Sequence, residues 1–526
     1  MTARQRVAVV TGGGGGIGAA IAESLGRTGI FVVTVDPLVS VDGSEQLPPA
    51  EETTAGRIVA NGGAARASGL SVTDGPAVHR LFAELADEFG GLDAVVNVAG
   101  ITRPTSFATG ADEDWRGVLS VHLDGYLNVL RAALPLMAAA GRGHILGVTS
   151  GSGWRSADAG AYGCAKRAVA ALTWQLGRHA PDGVVINAIS PIAATRMVTA
   201  ALGRMPARAP GADGAATGGL SLDAMPAPEH LGPLGAHLVG ESFAACRGRV
   251  IFTGGSEVAV VDEPRLIEVI RGGGPGVLEA ATTVALLPAE AKQSTGGGSN
   301  ARFGGLFDAE PTAAQPDTTV RSCAVAADRD DVREALSAAL AARGVTAHPV
   351  GAPAELADLD ALDAVVVALS GTPPAADGAD WQRLLAEHAG LTEQIHTDAR
   401  WTRAAADLAR STERPLRLVT VTAATTAGGR SRAQAAAQLA RAGRKATAGL
   451  VTPLPVSAET DRFPTDLVGH LVCSPAAADL AGAELVAGTV WFGLRSHPRP
   501  VGAITFGGPE LPAWFDQVLT EMVAPL

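Results

Sequence analysis

The sequence predicts an α/β protein with two doubly wound parallel sheets. In the first half, short apolar runs alternate with segments of helical pattern, and a string of glycines follows the first apolar run. Such alternation is typical of a parallel sheet, which binds ligands at the carboxyl ends of its strands. Several first-half segments recur in order in the second half. A chain of 526 residues exceeds one ordinary core, so we expect two domains.

Each predicted element of the first half rests on its residue pattern. Apolar runs of strand length are separated by longer segments of helical pattern. We expect strands at Val7–Thr11, Ile30–Asp36, Ala94–Val98, His144–Thr149 and Val184–Ile189. We expect helices at Ala19–Gly29, Pro76–Phe89, Asp112–Ala140 and Ala161–His179.

Composition argues against several classes of function. A net charge of −12 and a pI near 5.4 disfavour a nucleic-acid or anionic membrane partner. The first strand begins so close to Met1 that we expect no signal peptide, and no apolar run is long enough to span a membrane. The cysteines are scattered, which favours a reducing cytoplasm and no metal cage; they are Cys164, Cys246, Cys323 and Cys473.

The glycine string Gly12–Gly18 lies between a predicted strand and a predicted helix. Glycines let backbone amides approach a pyrophosphate, and the helix that follows presents its positive end to it. Asp36 ends the next strand, where a carboxylate can bind both ribose hydroxyls of an adenosine and repel a 2′-phosphate. No arginine or lysine stands in the glycine string or just after Asp36. The pattern therefore favours NAD(H) over NADP(H).

Tyr162 and Lys166 are four residues apart on a predicted helix, so their side chains share one face. Both residue types are scarce, because the chain has two tyrosines and lysines only at 166, 292 and 445. A phenol beside an ammonium can exchange a proton with a substrate. We expect the positive charge to lower the phenol pKa from about 10 toward neutrality.

With these residues in place, the first ~270 positions, a length suited to one domain, resemble the short-chain dehydrogenase/reductase family. The matching motifs are Thr11-Gly-Gly-Gly-Gly-Gly-Ile-Gly18, Asn97-Val-Ala-Gly100, Ser150, Tyr162-Gly-Cys-Ala-Lys166, Asn187-Ala-Ile-Ser-Pro191 and Thr195-Arg-Met197. The resemblance implies a Rossmann-like fold and hydride transfer between a nicotinamide and a carbonyl or secondary alcohol.

The resemblance also implies residue roles. Tyr162 would exchange a proton with the substrate oxygen, Lys166 would hold the nicotinamide ribose, and Ser150 would hydrogen-bond the substrate oxygen. Further coenzyme contacts are expected at Gly12, Gly16, Ile17, Gly18, Asp36, Ser71, Val72, Asn97, Ala99, Gly100, Pro191 and Thr195.

The chain departs from the family pattern at several positions. His122 stands where the family usually has an asparagine, and it either relays protons to Lys166 or is satisfied by a backbone carbonyl. Ser71 replaces the usual acidic residue near adenine, and Ile192 replaces the glycine after the proline. Because Ser150 lies one residue nearer Tyr162 than expected, Ser152 and, less strongly, Thr149 are rivals for its role.

The second half repeats the first without its chemistry. Leu362–Gly371 echoes Leu92–Gly100, and Pro498-Arg499 echoes Pro264-Arg265. Carboxylates in Asp328-Arg-Asp-Asp331 stand where glycines should cradle phosphate, and no tyrosine follows Tyr162. We expect a catalytic domain over 1–270, a glycine- and proline-rich linker over 271–317 and a degenerate, non-catalytic domain over 318–526.

The two halves are expected to form an intramolecular pseudo-dimer. Helices Asp112–Ala140 and Ala161–His179 would pack against Asp380–Arg410 and Ser431–Arg444, as subunits of the family associate. Two chains would then form a homodimer that mimics the family's tetramer. Residues 198–228 are interpreted either as a substrate lid or as a simple insertion.

The sequence thus predicts an NAD(H)-dependent oxidoreductase. Expected substrates are a small molecule or thioester: a 3-oxoacyl or 3-hydroxyacyl thioester, or a polyketide-like or alicyclic ketone. One alternative is a secondary alcohol or steroid dehydrogenase. Another is a scaffolding pseudoenzyme whose second half recruits an acyl carrier or other partner.

Overall fold

Two mostly parallel sheets form the centre of the computed structural model, which describes residues 4–48, 52–154, 159–203, 225–272, 274–287, 289, 319–359, 361–508 and 510–524. The strands are β1 Val7–Thr11, β2 Phe31–Val35, β3 Ala64–Ser68, β4 Ala94–Asn97, β5 Gly143–Val148, β6 Val184–Pro191, β7 Val250–Gly254, β8 Glu257–Asp262, β9 Leu266–Arg271, β10 Ser322–Ala327, β11 Thr346–Pro349, β12 Ala364–Leu369, β13 Leu416–Ala423, β14 Val451–Ala458, β15 Leu485–Ala487, β16 Trp491–Arg495 and β17 Arg499–Thr505.

Helices cover the faces of both sheets, as the α/β prediction requires. The α-helices are Gly16–Arg27, Thr54–Ala60, Gly75–Phe89, Asp112–Leu119, Gly125–Ala140, Gly160–Arg178, Arg196–Gly203, Gly232–Leu238, Pro275–Ala280, Asp330–Ala341, Asp380–Glu387, Leu391–Thr412, Ala427–Ala446, Thr465–Cys473 and Phe515–Val523. Their ends follow local chemistry: Asp74 accepts from the Ala77 amide at the start of Gly75–Phe89, and Gly90 ends that helix in a left-handed conformation.

The first sheet has the order β17-β8-β7-β6-β5-β4-β1-β2-β3. Strands β1 to β7 pair in parallel, whereas β8 and β17 are antiparallel to their neighbours. The central strand β1 is fully buried, as the run Val7-Ala-Val-Val-Thr11 predicts. This is the predicted doubly wound, Rossmann-like arrangement, with the glycine loop at the carboxyl end of β1.

The second sheet has the order β11-β10-β12-β13-β14-β15-β16-β9. When β10 is taken as the counterpart of β1, the second sheet has the same strand order as the first. The exception is β3, which has no counterpart among the described residues. Strands β10 to β15 are parallel, and β16 and β9 are antiparallel. The prediction of two sheets of one topology is confirmed.

Each half gives one strand to the sheet of the other half. Strand β9 belongs to the first half by sequence but pairs with β16 of the second sheet. Strand β17 belongs to the second half but pairs with β8 of the first sheet, and helix Phe515–Val523 packs on the first-half core through Phe515 and Leu519. The predicted boundaries at 270 and 318 therefore do not match the membership of the sheets.

The expected linker is partly structured. Helix Pro275–Ala280 continues into a π-helical turn at Ala281–Ala285. Leu278, Ala281 and Leu286 of this segment are buried in the core of the second half. The remainder of the linker, and residues 204–224 of the expected lid, lie outside the described residues.

The two halves meet through the helices that the sequence predicts. We call Gly160–Arg178 the tyrosine helix and Ala427–Ala446 the facing helix, because they pack against each other across the boundary between the halves. Arg167 Nε donates to Gln434 Oε1 at 3.0 Å, and Gln175 Nε2 donates to Ser431 Oγ at 3.1 Å. Nonpolar side chains from both halves form one continuous core at this boundary. The predicted intramolecular pseudo-dimer is confirmed.

Candidate active site

The glycine loop lies against the end of β4. Gly12 has a φ of +65°, and a Cβ atom on it would lie 2.8 Å from the Ala99 backbone nitrogen. A Cβ atom on Gly18 would lie 2.1 Å from the Gly12 carbonyl oxygen. Larger residues at these positions would displace the loop, so its glycines are a steric requirement. The loop leads into helix Gly16–Arg27, whose amino end can bind an anion.

Asp36 follows β2 beside the loop. Its Oδ2 accepts from the Gly14 amide at 3.0 Å, and its Oδ1 accepts from the Leu38 amide at 2.8 Å. These bonds fix the carboxylate but leave lone pairs available, since a carboxylate has about four acceptor sites. The position is the one predicted for adenosine recognition.

Asn97 and Ala99 are joined to β1 through Thr11. The Thr11 hydroxyl donates to Asn97 Oδ1 at 2.8 Å and lies 3.3 Å from the Ala99 amide, which donates to it. Asn97 and Thr11 are buried. This network holds the ends of β1 and β4 together at the predicted coenzyme crevice.

Ser150, Tyr162 and Lys166 converge at the end of β5. Ser150 is close enough to Tyr162 to lower the pKa of its phenol. Lys166 Nζ lies 5.7 Å from the centroid of the Tyr162 ring and donates to the Val148 carbonyl oxygen at 2.7 Å. The arrangement brings a hydroxyl, a phenol and an amine together beside the crevice.

The rivals of Ser150 have other contacts. Thr149 is buried, and its hydroxyl donates to the Lys166 carbonyl oxygen at 2.5 Å. The Ser152 amide donates to Ser150 Oγ at 3.3 Å. Of these three residues, Ser150 is the one that lowers the pKa of Tyr162.

The predicted direction of the Tyr162 pKa shift is wrong. Burial raises the pKa of the phenol above its ordinary value of 10.0, and the hydrogen bond with Ser150 opposes that rise. Burial also lowers the pKa of Lys166 to about 7. The charge of Lys166 alone would lower the phenol pKa, but the loss of water around both groups disfavours phenolate and ammonium alike.

His122 lies on a π-helical turn, Ser120–Asp124, between two α-helices. The imidazole is buried and packs edge-on against the Tyr162 ring with centroids 5.0 Å apart. Its Nε2 lies 2.8 Å from the Ile101 carbonyl oxygen, to which the tautomer protonated at Nε2 donates. Burial first, and then the charge of Lys166, lower the pKa of His122 to about 3. A Cβ atom on Gly100 would lie 2.4 Å from His122 Cε1, so the ring requires that glycine.

The remaining predicted coenzyme residues line the same end of the sheet. Val72 is buried and its carbonyl oxygen accepts from Asn128 Nδ2 at 3.0 Å, while the Ser71 hydroxyl lies 2.8 Å from that of Thr73. Ile17 packs partly buried against the first-half core.

The segment after β6 passes over the glycine loop. Pro191 ends β6, and the next amide, of Ile192, donates to the Thr253 carbonyl oxygen at 2.8 Å. Thr195 Cγ2 lies 3.6 Å from the place of a Cβ on Gly16. Thr195 thus lies beside the glycine loop, and its coenzyme contact stays a prediction.

Arg196 is a residue of this crevice that the sequence argument missed. Its Nη2 lies 3.3 Å from the position of a Cβ atom on Gly15, and the side chain is exposed. The glycine string itself contains no cation, but the fold places Arg196, about 180 residues further along the chain, beside it. The motif Thr195-Arg-Met197 was the available signal.

The corresponding edge of the second sheet has a different chemistry. Asp328 accepts from the Ser370 amide at 2.9 Å and from the Ser370 hydroxyl at 3.0 Å, which ties the end of β10 to the end of β12. Only residues 424–426 separate β13 from the facing helix, whereas 149–159 separate β5 from the tyrosine helix. The segment that carries Ser150 in the first half is therefore shortened in the second.

Among the described residues, no group of three histidine, cysteine or acidic side chains is arranged to hold a metal ion. No helix in the described part of the chain has both the length and the nonpolar character needed to cross a membrane.

The fold and the first-half site define a Rossmann-type oxidoreductase. A family model described as short chain dehydrogenase matches residues 6–204. The chain belongs to the short-chain dehydrogenase/reductase family, whose members act on CH–OH or C=O groups with a nicotinamide cofactor.

Similar proteins match the first half of the chain. The short-chain reductase protein NovJ of Streptomyces niveus is 38% identical over 197 residues, which cover 37% of this chain and 72% of that protein. A 3-oxoacyl-[acyl-carrier-protein] reductase of Synechocystis is 34% identical over 188 residues, covering 35% of this chain and 73% of that protein.

One solved structure is similar over both halves. The N-domain of a bacterial malonyl-CoA reductase, solved with NADP, matches with a TM-score of 0.62 at 17% identity. The match covers 90% of this chain and 94% of that chain. It shows that the fold as a whole, with both sheets, occurs in another protein.

Proposed function

We propose that this protein is a ketoreductase that transfers hydride between NAD(H) and a carbonyl or secondary alcohol, with Tyr162 as the general acid and base. The convergence of Ser150, Tyr162 and Lys166 beside the glycine loop carries the proposal. A nicotinamide, when bound, would supply or accept the hydride. The experiment that tests it is NADH oxidation with acyl-thioester and cyclic ketones, beside NAD reduction with alcohols.

Proton transfer follows from the local contacts. During reduction the carbonyl carbon gains a hydride and the oxygen gains the proton of the Tyr162 hydroxyl. The raised pKa keeps that phenol protonated at neutral pH, which suits a proton donor. Ser150 would hydrogen-bond the substrate oxygen as negative charge develops, and Lys166 would stabilise the phenolate left behind.

His122 acts, in this proposal, as a packing residue that orients the Tyr162 ring. Its Nε2 is bonded to the Ile101 backbone, and its low pKa keeps the ring neutral at physiological pH. Both facts favour the backbone-satisfied alternative over proton relay through an imidazolium. His122→Asn tests this role, because a relay residue would change the pH profile of turnover and a packing residue would change mainly its rate.

The preference for NAD(H) rests on Asp36. The carboxylate is fixed beside the glycine loop, where it would accept hydrogen bonds from ribose and repel a 2′-phosphate. Arg196 opposes a preference for NAD(H), because its guanidinium would attract the 2′-phosphate of NADP(H) as well as a pyrophosphate. We assign Arg196 to the pyrophosphate because it lies at the glycine loop itself.

The substrate class is proposed from the relatives. A 3-oxoacyl-[acyl-carrier-protein] reductase is similar over the first half, which favours a 3-oxoacyl thioester or a polyketide-like ketone. A thioester substrate would imply an acyl-carrier partner. Comparing turnover of a 3-oxoacyl thioester with that of the free 3-oxo ester tests this assignment.

The second half is proposed to be a degenerate copy that binds no dinucleotide. The shared strand order and the Asp328 contacts support this proposal. Carboxylates at this edge would repel a pyrophosphate. Titration with NADH tests it, because one site per chain is expected. We also propose a homodimer of chains, which light scattering of the purified protein tests.

A further inference from the structure

The facing helix of the second half contacts both elements that carry the proposed catalytic side chains. One element is the turn that begins at Ser150, and the other is the tyrosine helix. The serine turn and the tyrosine helix are separate elements, so contacts with a common surface affect their relative position. The second half supplies contacts to both.

The serine turn is a short 3₁₀ helix, Gly151–Gly153. Its amides are satisfied within the turn, because Gly153 N donates to the Ser150 carbonyl oxygen at 3.0 Å and Trp154 N donates to that of Gly151 at 3.1 Å. The Trp154 carbonyl oxygen stands at the end of the turn. Its partner comes from the other half of the chain.

Arg441 of the facing helix is that partner. Its Nη1 donates to the Trp154 carbonyl oxygen at 3.1 Å and to Gln438 Oε1 at 3.2 Å. Arg441 is only 6% exposed and Trp154 only 3%. A guanidinium without water needs well-placed acceptors, so this contact constrains the turn more than an exposed one would.

The same helix holds the tyrosine helix at successive turns. A Cβ atom on Gly163, next to Tyr162, would lie 3.1 Å from Gln438 Nε2. One turn further on, Arg167 Nε donates to Gln434 Oε1 at 3.0 Å, beside the buried carboxylate of Glu484. The helix bearing Tyr162 and Lys166 is therefore fixed to the same surface as the serine turn.

We propose that Arg441 is a positioning residue that holds the Ser150 turn in place relative to Tyr162. This inference rests on the proposed function, because it assigns to the non-catalytic half a role in that reaction. The second half then serves catalysis by geometry, without touching substrate or coenzyme.

The test compares Arg441→Gln with Arg432→Gln in the full-length protein. Arg432 is an equally buried guanidinium on the same helix, but its partners are Asp398 and the Leu369 and Ser370 carbonyls of the second half. Both variants lose a buried charge, whereas only the first loses a contact with the serine turn. Arg441→Lys keeps the charge and can still donate to one carbonyl.

We expect Arg441→Gln to lower kcat about tenfold or more while the KM for NADH stays nearly constant, since small displacements of reacting groups are costly. The alkaline limb of the pH profile should move to higher pH, because the Ser150 hydrogen bond that lowers the Tyr162 pKa is weakened. Amide exchange at Gly153 and Trp154 should become faster. Arg441→Lys should restore much of the loss, and Arg432→Gln should show none of these effects.

Two results would overturn the inference. In one, Arg441→Gln leaves both the alkaline limb of the pH profile and the amide exchange of Gly153 and Trp154 unchanged. In the other, Arg432→Gln reproduces every effect of Arg441→Gln. Tyr162→Phe in the same assay tests the proposed function separately. Should the wild-type protein reduce no ketone, the proposed function fails, and the exchange comparison still decides whether Arg441 holds the turn. If Arg441→Gln does not fold, Arg441→Lys is measured in the same way.

Discussion

The candidate crevice of the first half and its counterpart in the second half lie in sheets of similar strand order but differ in how their buried cations are satisfied. Lys166 on the tyrosine helix donates to the Val148 carbonyl, and burial lowers its pKa to about 7. Arg432 on the facing helix makes two 2.7 Å bonds with Asp398 and also binds two carbonyls. Burial acts to lower the pKa of Arg432, but the pairing with Asp398 outweighs it and raises that pKa. Lys166 can therefore gain or lose a proton near neutral pH, whereas Arg432 stays charged and paired with Asp398.

One topology thus supports either kind of crevice, and a few local groups decide between them. A glycine loop and a long serine-bearing segment leave the first crevice open to a ligand. In the second, Asp328 ties two strand ends together and residues 424–426 leave no such segment. Fold alone therefore does not assign activity to a half.

The largest expected effect comes from the phenol of the first half. Tyr162→Phe should lower kcat by about 10² to 10⁴, because it removes the proton donor, while NADH still binds. The chain offers its other tyrosine as a control: Tyr126 is buried in the core, and Tyr126→Phe should leave kcat nearly unchanged. Steady-state kinetics and NADH fluorescence titration measure both. Unchanged turnover in Tyr162→Phe would mean that the halves do not differ in the way proposed.

The exchanged strands predict that the halves depend on each other for stability. Ending the chain after His497 removes β17 and helix Phe515–Val523, which exposes the edge of β8 and the nonpolar surface beneath the helix. We expect the truncated protein to aggregate or to unfold at a clearly lower temperature. Scanning calorimetry measures the effect, and a fully stable first half would show that β17 is dispensable.

The choice between NADH and NADPH is expected to depend on charge where the adenosine would bind. Asp36→Arg should shift the ratio of kcat/KM for NADH over NADPH by about tenfold or more toward NADPH, since it replaces a repulsive charge with an attractive one. Asp42→Asn, on the same loop, should leave the ratio unchanged. Arg196→Gln should weaken both coenzymes equally; selective loss of NADPH would instead assign Arg196 to a 2′-phosphate.

The smallest effect concerns pH and Lys166. Its pKa is about 7 in the folded protein and near 10.5 when unfolded, so the unfolded chain binds more protons between these values and stability should rise with pH across that window. A tenfold difference in proton affinity corresponds to about 1.4 kcal/mol, so the rise has an upper limit of a few kcal/mol. Lys166→Met should flatten the rise, as urea unfolding at pH 6, 8 and 10 would show. Lys445 is exposed to water, so an equal flattening in Lys445→Met would contradict the assignment.

Local patterns were sufficient to predict much of this molecule. The run Val7–Thr11 and the glycines after it predict β1 and its loop, because both depend on neighbouring residues. The spacing of Tyr162 and Lys166 likewise predicts their shared helix face. The correct pairing of helices across the halves came from the repeat together with the family's mode of association.

Other features depend on contacts that no local pattern records. Strand β9 follows Pro264-Arg265 and β17 begins within the similar pair Pro498-Arg499, and nothing in their residues tells to which sheet each strand belongs. The direction of the Tyr162 pKa shift depends on burial by residues distant in sequence. Arg196 and Arg441 reach the crevice and the serine turn only because the fold brings them there.

The place of β17 has a consequence for biosynthesis. A ribosome makes β17 well after β8, so the edge of β8 that pairs with β17 stays open in the nascent first sheet until most of the second half has been made. Early-made domains commonly fold as they leave the ribosome, and unpaired edges at that stage invite wrong associations. Completion of the first sheet is therefore tied to synthesis of the second half, so its candidate active site is completed only in a chain that carries both halves.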